Sequence, residues 1–202
     1  MRKRLALLTA AAVLLPTAAV AAGGGFHADL DPVPHDHVAD GGSDVQGHAD
    51  LALRGTRLTI DLRATGLTPN EPHAMHIHGE LAALNECPDP SADADGDGLI
   101  SLQEAAPDYG PIDVSLTTSG DTSAASGLAL ERFPVADAHG VVEYHRTVTI
   151  PKDLSKKLGE LHVVLHGTAL PDGDDTSLTS LFEATLPVAC GTIDRSGGAH
   201  LR

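Results

Sequence analysis

Apolar and polar residues alternate along several short stretches of the chain. The stretch RLTIDLRA, residues 57–64, places four apolar side chains on one face and polar side chains on the other. This period of two is typical of a half-buried β-strand. The same character is found in GHADLALRG, VVEYHRTVTI, ELHVVLHG and LFEATLPVACGTI, and only DLSKKLGE indicates a helix. Gly- and Pro-rich turns such as ATGLTPNEP separate the stretches, so the pattern predicts an all-β antiparallel sandwich or barrel.

The two ends of the chain differ from this alternating region. Residues 1–21 begin with the basic MRKR, continue with an apolar run that contains Pro16, and end in the small residues AVA. This order predicts a cleaved signal peptide, and the run is shorter than the ~20 residues of a membrane-spanning helix. Residues 22–44 are rich in Gly, Asp, Pro and His, and we expect them to be mobile. We therefore expect a secreted, extracytoplasmic protein with one domain over residues 45–194 and a tail over residues 195–202.

The charge of the chain limits its partners. The formal net charge is −15 at pH 7, and it becomes −18 when the three basic residues of the signal peptide are removed. A chain this acidic repels nucleic acid and anionic lipid, and it suits the binding of cations. We expect metal ions as partners, no nucleic acid and no membrane insertion. The sequence gives no signature of an oligomer interface.

The two cysteines, Cys87 and Cys190, belong to a chain that is predicted to be exported. An oxidising compartment favours one long-range disulfide between them, which would close a loop of roughly a hundred residues. The alternatives are two free thiols or a thiolate metal site.

An acidic stretch, DADGDGLISLQE at residues 93–104, fits the twelve-residue calcium loop of the EF-hand. The ligand positions hold Asp93, Asp95, Asp97, Leu99 through its backbone carbonyl, Ser101 directly or through water, and Glu104. Hard oxygen ligands in this number favour calcium over magnesium. Two prolines in the preceding ECPDPSA exclude a regular entering helix, so we expect a lone structural calcium loop on another fold. The alternative is an acidic surface loop without a metal.

Three histidines lie within six residues of EPHAMHIHGE: His73, His76 and His78. On a β-strand, His76 and His78 would point to the same face about 7 Å apart, which makes a half-site for copper or zinc. Exposed histidine pairs also occur without a metal. Four further histidines lie near the N-terminus, at His27, His35, His37 and His48; HDH at residues 35–37 could chelate copper, but we favour solvated polar side chains.

The stretch GLTPNEPHAMHIHGELAALNEC, residues 66–87, resembles the copper/zinc superoxide dismutase family. That family has a Gly-Leu turn, then H-x-x-H-x-H, then a disulfide cysteine nine residues later, as Cys87 follows His78. VACGTI resembles the segment of the family's second cysteine, and LHVVLHG resembles the strand that ends in its last copper histidine. The resemblance spans about residues 44–194. It implies an eight-stranded Greek-key β-barrel, copper ligands at His76, His78 and His166, a structural His73, and a disulfide between Cys87 and Cys190.

The chain departs from this family at the zinc site. No histidine lies between Cys87 and Ala138, where the family has its bridging histidine, two zinc histidines and a zinc aspartate, so zinc is not expected. Pro187 stands where the family has its active-site arginine. These losses weaken redox tuning and the capture of an anionic substrate.

Three functional hypotheses follow from these motifs. The first is a copper-only enzyme that dismutes superoxide, and the second is a non-catalytic copper-binding protein on the same fold. The third is a calcium-stabilised binding module, for which AMHIHGE also resembles the secreted, β-rich CHRD domain. The missing arginine and bridging histidine favour the second over the first, and no catalytic residue is assigned.

Overall fold

The computed structural model describes residues 23–35, 44–79, 83–84, 86–170, 177–178 and 180–196. The expected signal peptide over residues 1–21 lies outside these ranges, as do His37 and the last six residues. Among the helices in the described ranges, none combines the length and the apolar character needed to cross a membrane.

The described residues form one antiparallel sheet that curls into a half-barrel. Its strands are β1 (Gly24–Pro32), β2 (Gln46–Arg54), β3 (Arg57–Thr65), β4 (Met75–His78), β5 (Ile112–Ser115), β6 (Val142–Thr149), β7 (His162–His166), β8 (Pro187–Thr192) and β9 (Asp194–Arg195). The order across the sheet is β5-β4-β7-β8-β1-β2-β3-β6, and β9 pairs with β1. The pairings β3 with β6 and β4 with β7 join strands that are distant in sequence, as Greek-key connections do. The prediction of an all-β barrel or sandwich is confirmed.

Side chains link the two outer strands of this order. Tyr144 and Arg146 of β6 both donate to the backbone carbonyl of Thr117, just after β5, at 3.2 and 2.6 Å. Arg146 also donates to the carbonyl of Gly120 at 2.7 Å. These bonds hold the edges together where the backbone ladder does not continue, and they complete the curl of the sheet.

Residues 24–32 correct the expectation that the whole segment 22–44 is mobile. They form β1, which pairs with β2 over seven register positions and with β8 at its end. Phe26, Ala28 and Leu30 are buried in the main core, while His27 and Asp29 face outward. The alternation of a strand was present in FHADLDP, but its Asp and His content obscured it. The barrel therefore begins at Gly24, before the predicted boundary at residue 45.

The helices are short. They are α1 (Leu102–Tyr109), α2 (Lys152–Lys157) and α3 (Leu181–Thr185), with 3-10 turns at Pro90–Ala92, Ala124–Ser126, Leu130–Arg132 and Leu158–Glu160. α2 agrees with the predicted DLSKKLGE helix. α3 replaces the first half of the strand predicted in LFEATLPVACGTI, because Ser180 and Glu183 form a capping box that starts a helix there.

A disulfide fixes a long loop on the outer face of the sheet. Cys87 and Cys190 are bonded, with their Cα atoms 5.6 Å apart, so the predicted pairing is confirmed.

Met75 and Ile77 of β4 enter the main core. The opposite face of the sheet is covered by a second, smaller cluster that comprises Val33, Ile100, Ala105, Tyr109, Val164 and Cys190. The loop from residue 86 to Gly110 thus covers the face on which alternate residues of β4 lie.

Candidate metal centre

His76, His78 and His166 come together on the face opposite the main core. His76 and His78 lie in β4, and His166 ends the neighbouring antiparallel strand β7. The ring centroids are 5.3 Å apart for His76 and His78, 5.0 Å for His76 and His166, and 5.7 Å for His78 and His166. All three residues are at most 3% exposed. The structure thus brings together the three histidines named in the sequence analysis, although His166 is 88 residues from His78.

Each of these rings is held by one backbone carbonyl. His76 Nε2 donates to the carbonyl oxygen of Gly127 at 3.1 Å, His78 Nδ1 to that of Gly110 at 2.9 Å, and His166 Nδ1 to that of Thr185 at 2.9 Å. A carbonyl oxygen can only accept, so the bonded nitrogen carries the proton. In a neutral imidazole the other nitrogen then has a free lone pair.

The remaining nitrogens of the three rings have no partner. His76 Nδ1, His78 Nε2 and His166 Nε2 are buried and make no hydrogen bond. One nitrogen of each ring lies within 4.8 Å of a nitrogen of each of the others. Burying an unpaired acceptor costs about 1–3 kcal/mol, and three convergent lone pairs repel one another. A metal ion would satisfy all three, so this group could hold one.

The three rings are uncharged at neutral pH. Burial lowers the pKa of His78 to about 3 and that of His166 to about 4. Burial also lowers the pKa of His76 well below its usual value, and repulsion by His166 and His78 lowers it further. The site therefore offers three neutral nitrogen donors, the form of histidine that binds metals.

His73 lies outside the group and contacts the backbone of His166. It is fully buried, and its two ring nitrogens lie 3.0 Å from the carbonyl oxygens of His166 and Thr68. Burial lowers the pKa of His73, so the neutral ring donates to one of these carbonyls at a time. The backbone of His166 is thus fixed from this side, which agrees with a structural role.

Two aromatic rings pack against the three histidines. Phe133 meets His76 edge-on at 5.4 Å between centroids, and Tyr109 lies 4.5 Å from His78 and 6.5 Å from His166. The sequence reasoning missed both rings, and it missed the three carbonyls as well. Gly110 alone had a signal, since a glycine commonly follows a helix, as it does after α1.

The acidic loop partly matches its predicted ligand set. Oxygens of Asp93, Asp95 and Glu104 lie within 4.8 Å of one another. Asp97 does not belong to this group, and the hydroxyl of Ser101 accepts from Glu104 N as the N-cap of α1. Glu104 accepts from the backbone N–H groups of Ala94, Asp95 and Ser101.

As predicted, the elements on either side of the acidic loop differ from those of an EF-hand. A 3-10 turn, Pro90–Ala92, precedes it in place of an entering helix, and α1 follows it. The exiting helix continues through Pro107 to Tyr109. Leu99 lies in the loop and donates its N–H to Asp97. The glycine at the turn position, Gly98, has a φ of 87°, which a side chain would disfavour.

The other histidines among the described residues do not join the three-histidine group. His162 is fully buried opposite His78, bonded through Nε2 to Thr192 and without a partner at Nδ1. His27 bonds to Asp29 and Asp50 on the outer face, where His48 stacks on it. The expectation that the N-terminal histidines are solvated is wrong for His35, because its side chain is buried.

His35 is buried between two parts of the chain. Its Nε2 donates to the carbonyl of Pro187 at 2.6 Å, and its Nδ1 accepts from Ile100 N at 3.0 Å. Burial lowers the pKa of His35, which keeps the ring in the neutral form that this pair of bonds requires. The residue ties the end of the acidic loop to β8.

Comparison with known protein families and with curated proteins found no match for this chain.

Replacing Gly127 by alanine should weaken metal binding at the three-histidine site. A Cβ at this position would lie 2.6 Å from Ile112 Cδ1, the end of a side chain that can turn away, and 3.2 Å from the carbonyl oxygen of Ala124, so the segment that presents the Gly127 carbonyl to His76 would have to shift by a few tenths of an ångström. Because φ is −56°, alanine adds no backbone strain of its own. Loss of such a hydrogen-bond partner costs about 10–100-fold in metal affinity, which a competition titration with a chromophoric chelator measures. Gly159→Ala is the control, since the nearest atom to its Cβ lies 3.6 Å away; equal affinities for both variants would contradict the role of the Gly127 carbonyl.

Proposed function

We propose that this protein binds copper outside the cytoplasm through His76, His78 and His166. The observation that carries the proposal is the set of three unpartnered, buried imidazole nitrogens on neutral rings. The predicted signal peptide and the disulfide fit an oxidising compartment. The resemblance to the copper/zinc superoxide dismutase family, with these same residues as copper ligands, supports the same assignment.

Three histidines suit copper, and they also suit a zinc ion that takes a water as its fourth ligand, so the resemblance to the copper site decides for copper. Structural and catalytic zinc sites are four-coordinate, with a fourth protein ligand or a water. Among the His, Cys, Asp and Glu side chains of the described residues, only three converge here. Copper binds nitrogen ligands more tightly than zinc in the Irving–Williams order, and Cu(I) accepts three nitrogen donors without a fourth. The proposed resting state is therefore Cu(I) held by three histidines.

A holding function is better supported than superoxide dismutation. The ligand nitrogens are buried, Pro187 stands where the resembled family has a cation for the anionic substrate, and the net charge is −15. A negatively charged surface slows the approach of a negatively charged substrate. Turnover by a copper-only dismutase is the alternative, and a superoxide assay of the copper-loaded protein separates the two. A CHRD-like binding protein in which the histidines bind no metal is the second alternative.

Replacing His76 by alanine should abolish tight copper binding. The change removes one of three donors, so the loss of Cu(I) affinity should exceed the roughly 10–100-fold cost of losing an outer hydrogen-bond partner. Competition with a chromophoric Cu(I) chelator under reducing conditions measures it. The control is His145→Ala, because that ring is exposed on β6 and bonds to Asp61 away from the site. An affinity of His76→Ala equal to that of the control would rule out the proposed ligand set.

We further propose that the loop over residues 93–104 binds calcium as a structural element. The sequence pattern and the proximity of Asp93, Asp95 and Glu104 support this. Calcium in this loop would stabilise the segment that leads into α1 and Gly110.

Glu104→Gln should lower the calcium affinity at least about tenfold, because affinity in such loops depends on ligand charge. Glutamine at this position preserves the capping box with Ser101, so α1 should persist. Isothermal titration with Ca²⁺ measures the change. Glu143→Gln removes an equal charge from the exposed face of β6 and should bind calcium as the wild type does. A wild-type protein that takes up no calcium would refute the proposal.

A further inference from the structure

The hydroxyl of Tyr109 is an unexplained polar group at the three-histidine site. Tyr109 is 1% exposed, and its Oη is buried without a hydrogen-bond partner. A phenylalanine would fill the same space without the free-energy cost of burying an unpaired hydroxyl. A buried unsatisfied group in a folded protein calls for a partner that is absent from the protein chain, such as an ion or a water.

The ring of Tyr109 is fixed against two of the three histidines. It lies 4.5 Å from the ring of His78 and 6.5 Å from that of His166, measured between centroids. Tyr109 is also the last residue of α1, and the next residue, Gly110, presents its carbonyl to His78. The helix end therefore positions the phenol and one histidine ring together.

Tyr109 carries an unpaired oxygen on a ring that contacts the group, which makes it the candidate for a fourth donor. No fourth His, Cys, Asp or Glu in the described residues joins the group of three. His162, also unpartnered at Nδ1, does not belong to the group. Thr168 carries the other unpartnered hydroxyl, but an aliphatic alcohol is a much weaker acid than a phenol.

We infer that the phenol oxygen of Tyr109 is the fourth ligand of oxidised copper in this site, an inference that rests on the proposed copper function. Cu(I) is satisfied by three nitrogens, whereas Cu(II) prefers a tetragonal set of nitrogen and oxygen donors. When Cu(II) binds, the phenol O–H bond breaks, a copper–oxygen bond forms and the proton leaves to the solvent. No electron is transferred in this step.

The phenol of Tyr109 must lose its proton before its oxygen can bind copper as a phenolate. A bound divalent cation is the largest local charge in such a site and lowers the pKa of a coordinated oxygen acid. One proton released per Cu(II), and none released on Cu(I) binding, is the expected signature.

The test compares two isosteric variants of the full mature protein. The chain has two tyrosines, and the other, Tyr144, donates to the carbonyl of Thr117 away from the site. Wild type, Tyr109→Phe and Tyr144→Phe are each titrated with Cu(II) and Cu(I), and copper content, visible absorption and proton release are recorded. We expect a phenolate-to-copper charge-transfer band in the wild type and Tyr144→Phe but not in Tyr109→Phe. Tyr109→Phe should lose about 10–100-fold in Cu(II) affinity, keep its Cu(I) affinity and release no proton.

The outcomes separate this inference from the proposed function. Copper bound by the wild type without the band, or a band that persists in Tyr109→Phe, overturns the role of Tyr109 and leaves the three-histidine site intact. A wild type that binds no copper overturns both. Thermal unfolding of the metal-free Tyr109→Phe protein checks its fold, and its midpoint should equal or exceed that of the wild type because an unpaired hydroxyl is gone.

Discussion

The metal-free protein should lose stability steeply as the pH falls below about 6.5. The histidines of the site are held neutral by burial, with a pKa near 3 for His78, near 4 for His166 and well below the usual value for His76. In the unfolded chain the same residues titrate near 6.5. Between these values the unfolded state binds protons that the folded state does not, so acid favours unfolding.

The size of this effect follows from the number of groups. Each such histidine contributes about 1.4 kcal/mol per pH unit, so the three site histidines alone give about 4 kcal/mol per pH unit where the unfolded chain is fully protonated and the folded one is not. Burial also lowers the pKa of His35, His73 and His162, and these residues add to the slope in the same direction. The stabilisation is complete above about pH 6.5 and is progressively lost toward pH 4. Urea unfolding at a series of pH values gives the slope directly.

A matched variant identifies the groups responsible. His78→Gln removes one of the three titrating rings, and the slope of the free energy of unfolding against pH should fall by about 1.4 kcal/mol per unit. A free energy of unfolding that is the same at pH 5 and pH 7 would contradict the assignment of neutral, buried rings.

Replacement of both cysteines by serine should lower the free energy of unfolding by about 4–5 kcal/mol in the loop-entropy account of disulfides. Cys87 and Cys190 are 103 residues apart in sequence, so their bond removes much conformational freedom from the unfolded chain. Cys190 is buried in β8, and Cys87 attaches the loop that leads to α1. Urea unfolding of the oxidised wild type and the double serine variant measures the difference.

The same change should also weaken copper binding. The loop that Cys87 anchors ends at Gly110, whose carbonyl orients His78, so its release should reduce Cu(I) affinity as well as stability. Chemically reduced wild type should behave like the double serine variant in urea unfolding, whereas only the serine variant reports on Cu(I) affinity, because free thiols bind Cu(I) themselves. A loss of stability below about 1 kcal/mol, the size of an ordinary point mutation, would show that the disulfide does not constrain this fold as described.

The pattern of the sequence predicted the sheet because one face of each strand is buried. RLTIDLRA and VVEYHRTVTI became β3 and β6 with their apolar residues inward. The alternation of β1 is hard to recognise in the sequence, because Asp and Gly are frequent in this segment and only Phe26, Ala28 and Leu30 are apolar on its inner face. α3 was mistaken for a strand because its five residues are too few for helical periodicity, and only the Ser180–Glu183 capping box marks its start.

The candidate ligands of the site could be predicted from the sequence, but the backbone carbonyls that orient their rings could not. His76 and His78 have strand spacing, and the family resemblance added His166. The carbonyls of Gly110, Gly127 and Thr185 could not be predicted, since every residue has a carbonyl and only the tertiary fold brings these three to the rings. Tyr109 gave no signal either, because its role depends on the packing of α1 against β4 and not on a sequence motif.

The metal content of the mature protein tests the proposed function most directly. The protein is loaded with copper, zinc and calcium together, desalted and weighed by native mass spectrometry. We expect one copper and one calcium per chain and no zinc. Calcium without copper, or zinc in place of copper, would contradict the assignment of His76, His78 and His166 as a copper site.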